Sequence, residues 1–258
     1  MDLAYLLRKV GRTAQVHLPV LQEPGKFVEH HWRVLTRTAH DRELGGLRLI
    51  DVPGGALFLD VGANRGWATH SIRTLCPHVR IHAFEPNPAM AHRIAHLYRP
   101  PDTLHAVALS NRSGEFPLYV PVYRQLVFDG LASLSATEAR RWLSSDTVFG
   151  FDAGHLEIRQ LACRVTTLDS FGIDPFFIKI DVQGCEYEVI SGGLATIESS
   201  RPIIFAESEV LDVSRVLELL SQWNYEVWRF DGTFHPGEIS PHNVYFIPAS
   251  KRGLICAA

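Results

Sequence analysis

The sequence predicts an α/β fold built on a mostly parallel open sheet, with an antiparallel strand at its edge. Three observations carry this expectation. From residue 56 onward, apolar runs of strand length alternate with segments of helix length. The first run, "ALFLDV", empties into "GANRG", a glycine turn of the kind that joins a strand to a helix beside a ligand. The last two runs, "YEVWRF" and "NVYFIP", suit an antiparallel pair at the sheet edge.

Taken in order, the segment 1–55 reads as mostly helical and then loop. "KFVEHHWRVLTRTAHDREL" sets Phe27, Val28, Trp32, Leu35 and Ala39 at helical spacing, and "GGLRLIDVPGG" reads as a short strand or hairpin. No linker divides this segment from the rest, so it is expected to cap the main domain, and its Trp32 helix could serve a homodimer interface. The domain proper is expected over 56–258. After "ALFLDV" come a helix in "NRGWATHSIRTLC", stopped near Pro77, and a strand "VRIHAFEP". The next helix, "NPAMAHRIAHLY", opens with Asn87 as N-cap and Pro88 in its first turn. "DTLHAVAL" is a third strand. An insertion of mixed structure over 112–170 follows: strand "GEFPLYVPV", loop "GLASLSA", short helix "TEARRWLSS" and strand "LEIRQLACRVTTLDSF". Alternation then resumes with strand "PFFIKIDV", helix "CEYEVISGGLATI", strand "PIIFAES" and helix "DVSRVLELLSQW".

Composition removes several function classes. The chain has 258 residues, enough to bury a core without disulfides or metals. A net charge of −3 supplies no basic field, so nucleic acid is not an expected partner. No apolar run reaches membrane-spanning length, and the N-terminus lacks the basic start and cleavage site of a secretion signal. Four cysteines form no C-x-x-C pair, which suits reduced thiols and a cytoplasmic location. The 13 histidines scatter without metal-ligand spacing.

Two stretches carry chemistry on the cofactor side. In "FLDVGANRG", Asp60 precedes Gly62, Asn64 and Gly66, and the third glycine of the dinucleotide fingerprint is missing. An acidic turn favours a ligand bearing positive charge, and a hydride-transferring dehydrogenase is disfavoured. Glu85 ends the second strand about 20 residues after the glycine turn, where an acid can accept both hydroxyls of a ribose. Asp60, Gly62, Gly66 and Glu85 together point to an adenosine-containing ligand.

The third stretch is "FFIKIDVQGCEYEVI". Lys179 and Asp181 lie two apart on one strand and share a face. Asp181 stands at the carboxyl end, where open α/β sheets place ligands, with Glu207 expected as its partner at the end of "IIFAES". Two such carboxylates could deprotonate a hydroxyl, or hold a divalent cation such as magnesium that acidifies it. The sequence leaves both open. Lys179 reads equally as catalytic or as an ion-paired scaffold residue. Glu186 and Glu188 open a helix, where acids favour the N-terminus. His155 and Asp129 in the insertion read as solvated loop residues with a lesser claim as bases.

The set "FLDVGANRGWAT", "AFEPNPAM", "VALSNRSGE", "TTLDSF", "IKIDVQGCEYEVISGG" and "IIFAES" resembles the FkbM-type S-adenosylmethionine-dependent methyltransferases over about residues 56–208. Gln183 departs from the pattern, standing where glutamate is common, and residues 1–55 lie outside it. The resemblance implies a Rossmann-like methyltransferase fold, with a seven-stranded sheet and helices on both faces. It implies S-adenosylmethionine as cofactor, contacted by Asp60, Gly62, Asn64, Gly66, Glu85, Asn87, Ala108 and Asp181. It also implies O-methylation of a small-molecule or saccharide acceptor. Methylation of a nitrogen or carboxylate, or a non-catalytic adenosine-binding role, are the rival readings.

Overall fold

Elements are numbered in chain order in a computed structural model of the protein. It describes residues 39–256 apart from Gln125 and Val210, together with Leu6, residues 9–11, Thr13, Ala14 and Val16. The strands are β1 Leu57–Val61, β2 Arg80–Phe84, β3 Thr103–His105, β4 Ala108–Leu109, β5 Gly114–Tyr123, β6 Leu126–Val127, β7 Leu156–Thr166, β8 Phe177–Ile180, β9 Ile203–Glu207, β10 Tyr225–Phe230, β11 Phe234–Pro236 and β12 Asn243–Pro248. The helices are α1 Trp67–Leu75, α2 Pro88–Ile94, α3 Ala136–Arg141, α4 Glu186–Ser191, α5 Leu194–Ser200 and α6 Val213–Leu220. The chain divides into two units, one of Met1–Thr36 with Pro117–Ala162 and one of Arg37–Phe116 with Cys163–Ala258.

The larger unit holds an eight-stranded sheet in the order β11-β10-β12-β9-β8-β1-β2-β3. Neighbours from β9 to β3 run parallel, whereas β12 is antiparallel to both β9 and β10, and β11 to β10. From β1 the chain steps outward to β2 and β3, then returns to β8 and β9 on the other side. The order therefore reverses between β1 and β8, and their carboxyl ends open a crevice there.

Alternation along the strands splits the core in two. Leu57, Leu59, Val61, Ile178, Ile180 and Ile204 pack on one face with residues of α4, α5 and α6. Phe58, Phe177 and Phe205 face the other way, against Ile72 of α1 and Leu44 and Leu47. Continuing that second face by two residues on each strand leads to Asp60, Lys179 and Glu207. Burying about 150 Å² or more per ring, the three stacked phenylalanines supply much of the apolar stabilisation beneath them.

The observed sheet differs from the expected one in four places. It has eight strands rather than seven, because the chain turns back after β10 and adds the short β11. The antiparallel pair of β10 and β12 forms, but β12 lies inside the sheet and β11 takes the edge. "DTLHAVAL" breaks after His105: β3 stays in the main sheet, while β4 pairs in parallel with the end of β7. The single helix expected in "CEYEVISGGLATI" is two, α4 and α5, divided at Gly192 and Gly193. A Cβ at Gly192 would lie 2.0 Å from the Ser110 carbonyl oxygen, so the chain needs glycine to pass there. Asp169 then caps α5, accepting from Ala195 N at 3.1 Å and Thr196 N at 2.8 Å.

Upstream of β1, "GGLRLIDVPGG" is not a hairpin. Glu43–Leu49 forms a 3-10 segment that buries Leu44 and Leu47, and Ile50 bridges to Ile255. The helix expected around Trp32, and its possible dimer interface, lie outside the described residues.

The smaller unit has its own core of Val16, Tyr123, Leu143 and Val148. Lys9 Nζ donates to the Ser145 carbonyl at 2.7 Å, and Phe149 N donates to Thr13 Oγ1 at 2.9 Å. The N-terminal helical residues thus pack with the middle of the insertion, and residues 37–55 belong to the larger unit. No helix among the described residues is long and apolar enough to cross a membrane.

Candidate active site

The glycine turn after β1 is shaped by its neighbour across the crevice. Gly62 has φ +80°, and a Cβ there would stand 1.8 Å from the Asp181 carbonyl oxygen. No side chain fits between the two loops, so only bare backbone closes the switch point. Asn64 (φ +44°) and Gly66 (φ +76°) continue the left-handed turn, and Gly66 caps α1.

Asp60 and Lys179 are register partners on β1 and β8. Asp60 is fully buried; its Oδ1 lies 3.2 Å from Lys179 Nζ, and its Oδ2 accepts from Thr69 Oγ1 at 2.6 Å. The positive charge that Asp60 meets is therefore Lys179. The lysine also donates to the Gly62 carbonyl at 3.0 Å, tying the glycine turn to β8. Burial alone would strip its proton, but Asp60, Asp181 and Asp41 outweigh burial and hold the ammonium charged. In this geometry Lys179 joins β8 to β1 and to the glycine turn.

Glu85, at the end of β2, is only 5% exposed. Its Oε2 accepts from Asn64 N at 2.7 Å and its Oε1 from Asn87 N at 2.8 Å. Burial pushes its carboxyl up to about 7 against those two hydrogen bonds. Asn87 caps α2, its Oδ1 accepting from Ala89 N at 3.1 Å. Ala108 is buried in β4 opposite Val165, away from any of these carboxylates' hydrogen bonds.

On the β8–β9 side, Asp181 keeps 42% of its side chain exposed and lies 3.7 Å from Lys179 Nζ. Gln183 Nε2 donates to Asp181 Oδ1 at 2.7 Å and to Glu207 Oε2 at 3.1 Å. Asp181 and Glu207, paired on sequence grounds, are thus joined through an amide. Burial first, then the charges of Asp181 and Glu186, push Glu207 up to about 9, so it keeps its proton at neutral pH. Glu186 opens α4, as expected, and is buried. It is 1% exposed, and its Oε1 accepts from Val182 N at 3.0 Å and Gly184 N at 3.2 Å. Burial pushes it up to about 7.

One acid escaped the sequence reading. Asp41, from the turn before the 3-10 segment, is raised by burial and by Asp181, and lowered by His40 and Lys179. His40 is fixed beside α1: its N donates to Ser71 Oγ at 2.8 Å and its ring lies 4.7 Å from that of Trp67. Asp41 sits outside every motif, so only tertiary packing reveals it. Asp129 and His155 belong to the smaller unit, where Asp129 is buried rather than solvated and accepts from Gly130 N, and exposed His155 lies 3.6 Å from Asp152. Among the described residues, no three or more His, Cys, Asp or Glu side chains form a group that could hold a metal ion.

The model of the methyltransferase FkbM domain matches residues 60–235. The chain is 29% identical, over 183 residues, to the 2-O-methyltransferase NoeI of Sinorhizobium fredii, a match that covers 67% of this chain and 73% of that protein. Among solved structures, the methyltransferase FkbM of Methylobacillus flagellatus KT superposes with a TM-score of 0.51 at 15% identity, over 81% of this chain. The match spans 47% of that chain, about half its length. The matched span runs from Asp60, at the glycine turn, through Glu85, Asp181 and Glu207 to β11. The chain therefore belongs to the FkbM family of S-adenosylmethionine-dependent methyltransferases.

Proposed function

We propose that the protein is an O-methyltransferase acting on a hydroxyl of a sugar, glycoside or natural product. The observation that carries this reading is the joined pair of Asp181 and Glu207 at the carboxyl ends of β8 and β9, facing the glycine turn across the switch point. The name of the relative NoeI, a 2-O-methyltransferase, supports oxygen as the acceptor atom.

The residues on the β1–β2 side fit S-adenosylmethionine. That molecule carries no phosphate, and this turn lacks the third glycine of a pyrophosphate cradle. Gly62 admits close approach of backbone, and Glu85 is a buried acid whose oxygens each keep a lone pair for ribose hydroxyls. Asn64, Gly66 and Asn87 hold these two in place. When bound, S-adenosylmethionine supplies an electrophilic methyl group.

The acceptor hydroxyl needs a base and a fixed line of approach. Glu207 carries a proton at neutral pH and suits hydrogen-bond donation to the acceptor. Asp181 is the exposed member of the pair and the group that takes the hydroxyl proton. The measurement is methyl gain by mass in a panel of glycosides mixed with S-adenosylmethionine. Asp181→Asn should cut turnover roughly 10²- to 10⁴-fold while calorimetry shows S-adenosylmethionine binding retained. A wild-type chain that binds no S-adenosylmethionine overturns the reading, and methyl gain confined to amines or carboxylates moves the acceptor away from oxygen.

A further inference from the structure

Gln183 holds a backbone conformation that glutamine rarely adopts, φ +57°, followed by Gly184 at φ +89°. The peptides on either side of it are pinned by one group: Glu186 Oε1 receives both Val182 N and Gly184 N. That double anchor holds the loop in its left-handed turn, a strain the surrounding contacts must support. The turn aims the Gln183 carboxamide between two acids. Its nitrogen has two N–H bonds, and both are spent, one on Asp181 and one on Glu207.

We infer that Gln183 is a positioning residue that holds Asp181 and Glu207 side by side as one hydrogen-bonded pair by spanning them with a single carboxamide. The consequence for methyl transfer rests on the function proposed above; the pairing itself does not. Without the bridge, the repulsion between the two acids would be relieved by one of them holding its proton more tightly. Each N–H favours the ionised form of the acid that accepts it, so the bridge works against the burial and neighbouring charge that raise Glu207. The other charged groups acting on the pair are Lys179 from β8, Glu186 from α4, Glu209 after β9 and Asp41 from the preceding turn. None of them bridges the two carboxylates by a direct hydrogen bond, as Gln183 does.

The test follows Glu207 itself by carbon-13 carboxyl NMR across a pH titration in chelator, with its resonance assigned by loss in Glu207→Gln. Gln183→Met keeps the shape and removes the donors, and should make Glu207 hold its proton about tenfold more tightly, raising its midpoint by about one unit. Gln183→Glu should raise it further, because a third carboxyl joins the cluster, and Gln183→Asn should stay closer to wild type. Thermal melts of each variant show whether it is folded, and Gln183→Leu, which also lacks the donors and adds no charge, carries the test if the methionine variant is not. A Glu207 midpoint that is unchanged or lowered in the folded variants overturns the inference. Calorimetry of the wild-type chain with S-adenosylmethionine is a separate reading. Its failure would sink the methyl-transfer function and leave the titration standing, and the reverse holds as well.

Discussion

The two sides of the crevice treat their acids in opposite ways. On the β1–β2 side, Asp60 is neutralised by Lys179 and Thr69, and Glu85 by two backbone N–H groups. On the β8–β9 side, Asp181 and Glu207 are held beside one another by an amide, with Asp181 still open to solvent. The first arrangement fixes the backbone of the glycine turn and of the chain after β2. The second sets a proton-holding acid, Glu207, beside an acid open to solvent. Rigid capture of a ligand needs the former, and proton removal from an acceptor needs the latter.

Breaking the quiet side should cost the most. Lys179→Met leaves Asp60 buried without its cation and should destabilise the fold by about 3–5 kcal/mol in urea melts. A cost near zero would mean that Asp60 finds another partner, and the contrast between the two sides would dissolve. Gly62→Ala comes next. The added methyl collides with the Asp181 carbonyl in a backbone that also disfavours a side chain, so about 2–3 kcal/mol is expected, together with loss of S-adenosylmethionine binding by calorimetry.

The contrast also has a pH signature. Glu85 and Glu186 are pushed up to about 7 and Glu207 to about 9, from an ordinary value of 4.5. For an acid whose folded value is raised, the folded chain holds a proton that the unfolded chain has released. Stability from these groups is therefore complete below the ordinary value and is lost as pH rises through 7 and then 9. Wild-type stability should decline over that span, and Glu207→Gln should flatten its upper half. A wild-type chain that gains stability on going from neutral to alkaline pH would contradict the buried, proton-holding state of Glu207. The smallest effect belongs to Glu188→Ala, at about 0.3–1 kcal/mol from the N-terminal turn of α4. That value separates an ordinary helix-end acid from Glu186, two residues earlier, whose loss would release both Val182 N and Gly184 N.

Much of this was legible in the chain. Apolar runs announced β1, β2, β8 and β9, and the position of an acid or glycine at the end of each run placed Asp60, Gly62, Glu85, Asp181 and Glu207 along one sheet edge. Local rules also found the α2 cap at Asn87. They failed where distant chain intervened. The segment around Gly192 and Gly193 read as one helix, but Ser110 passes against Gly192 and Leu168 against Gly193. "GGLRLIDVPGG" read as a short strand or hairpin, but its first half continues a 3-10 segment that draws Leu44 and Leu47 onto the sheet face.

By itself the sequence determined the parallel α/β frame and which side chains end its strands, because periodicity and turn residues act within a few positions of one another. Only the tertiary structure decided what each acid touches. Asp60 and Lys179 are 119 positions apart in sequence and adjacent in register, Asp41 reaches the cluster from outside every motif, and Gln183 joins two strands that its own residue type gave no reason to link. Charge interactions fall off with distance and depend on burial, and both quantities exist only once the sheet has brought the strands together.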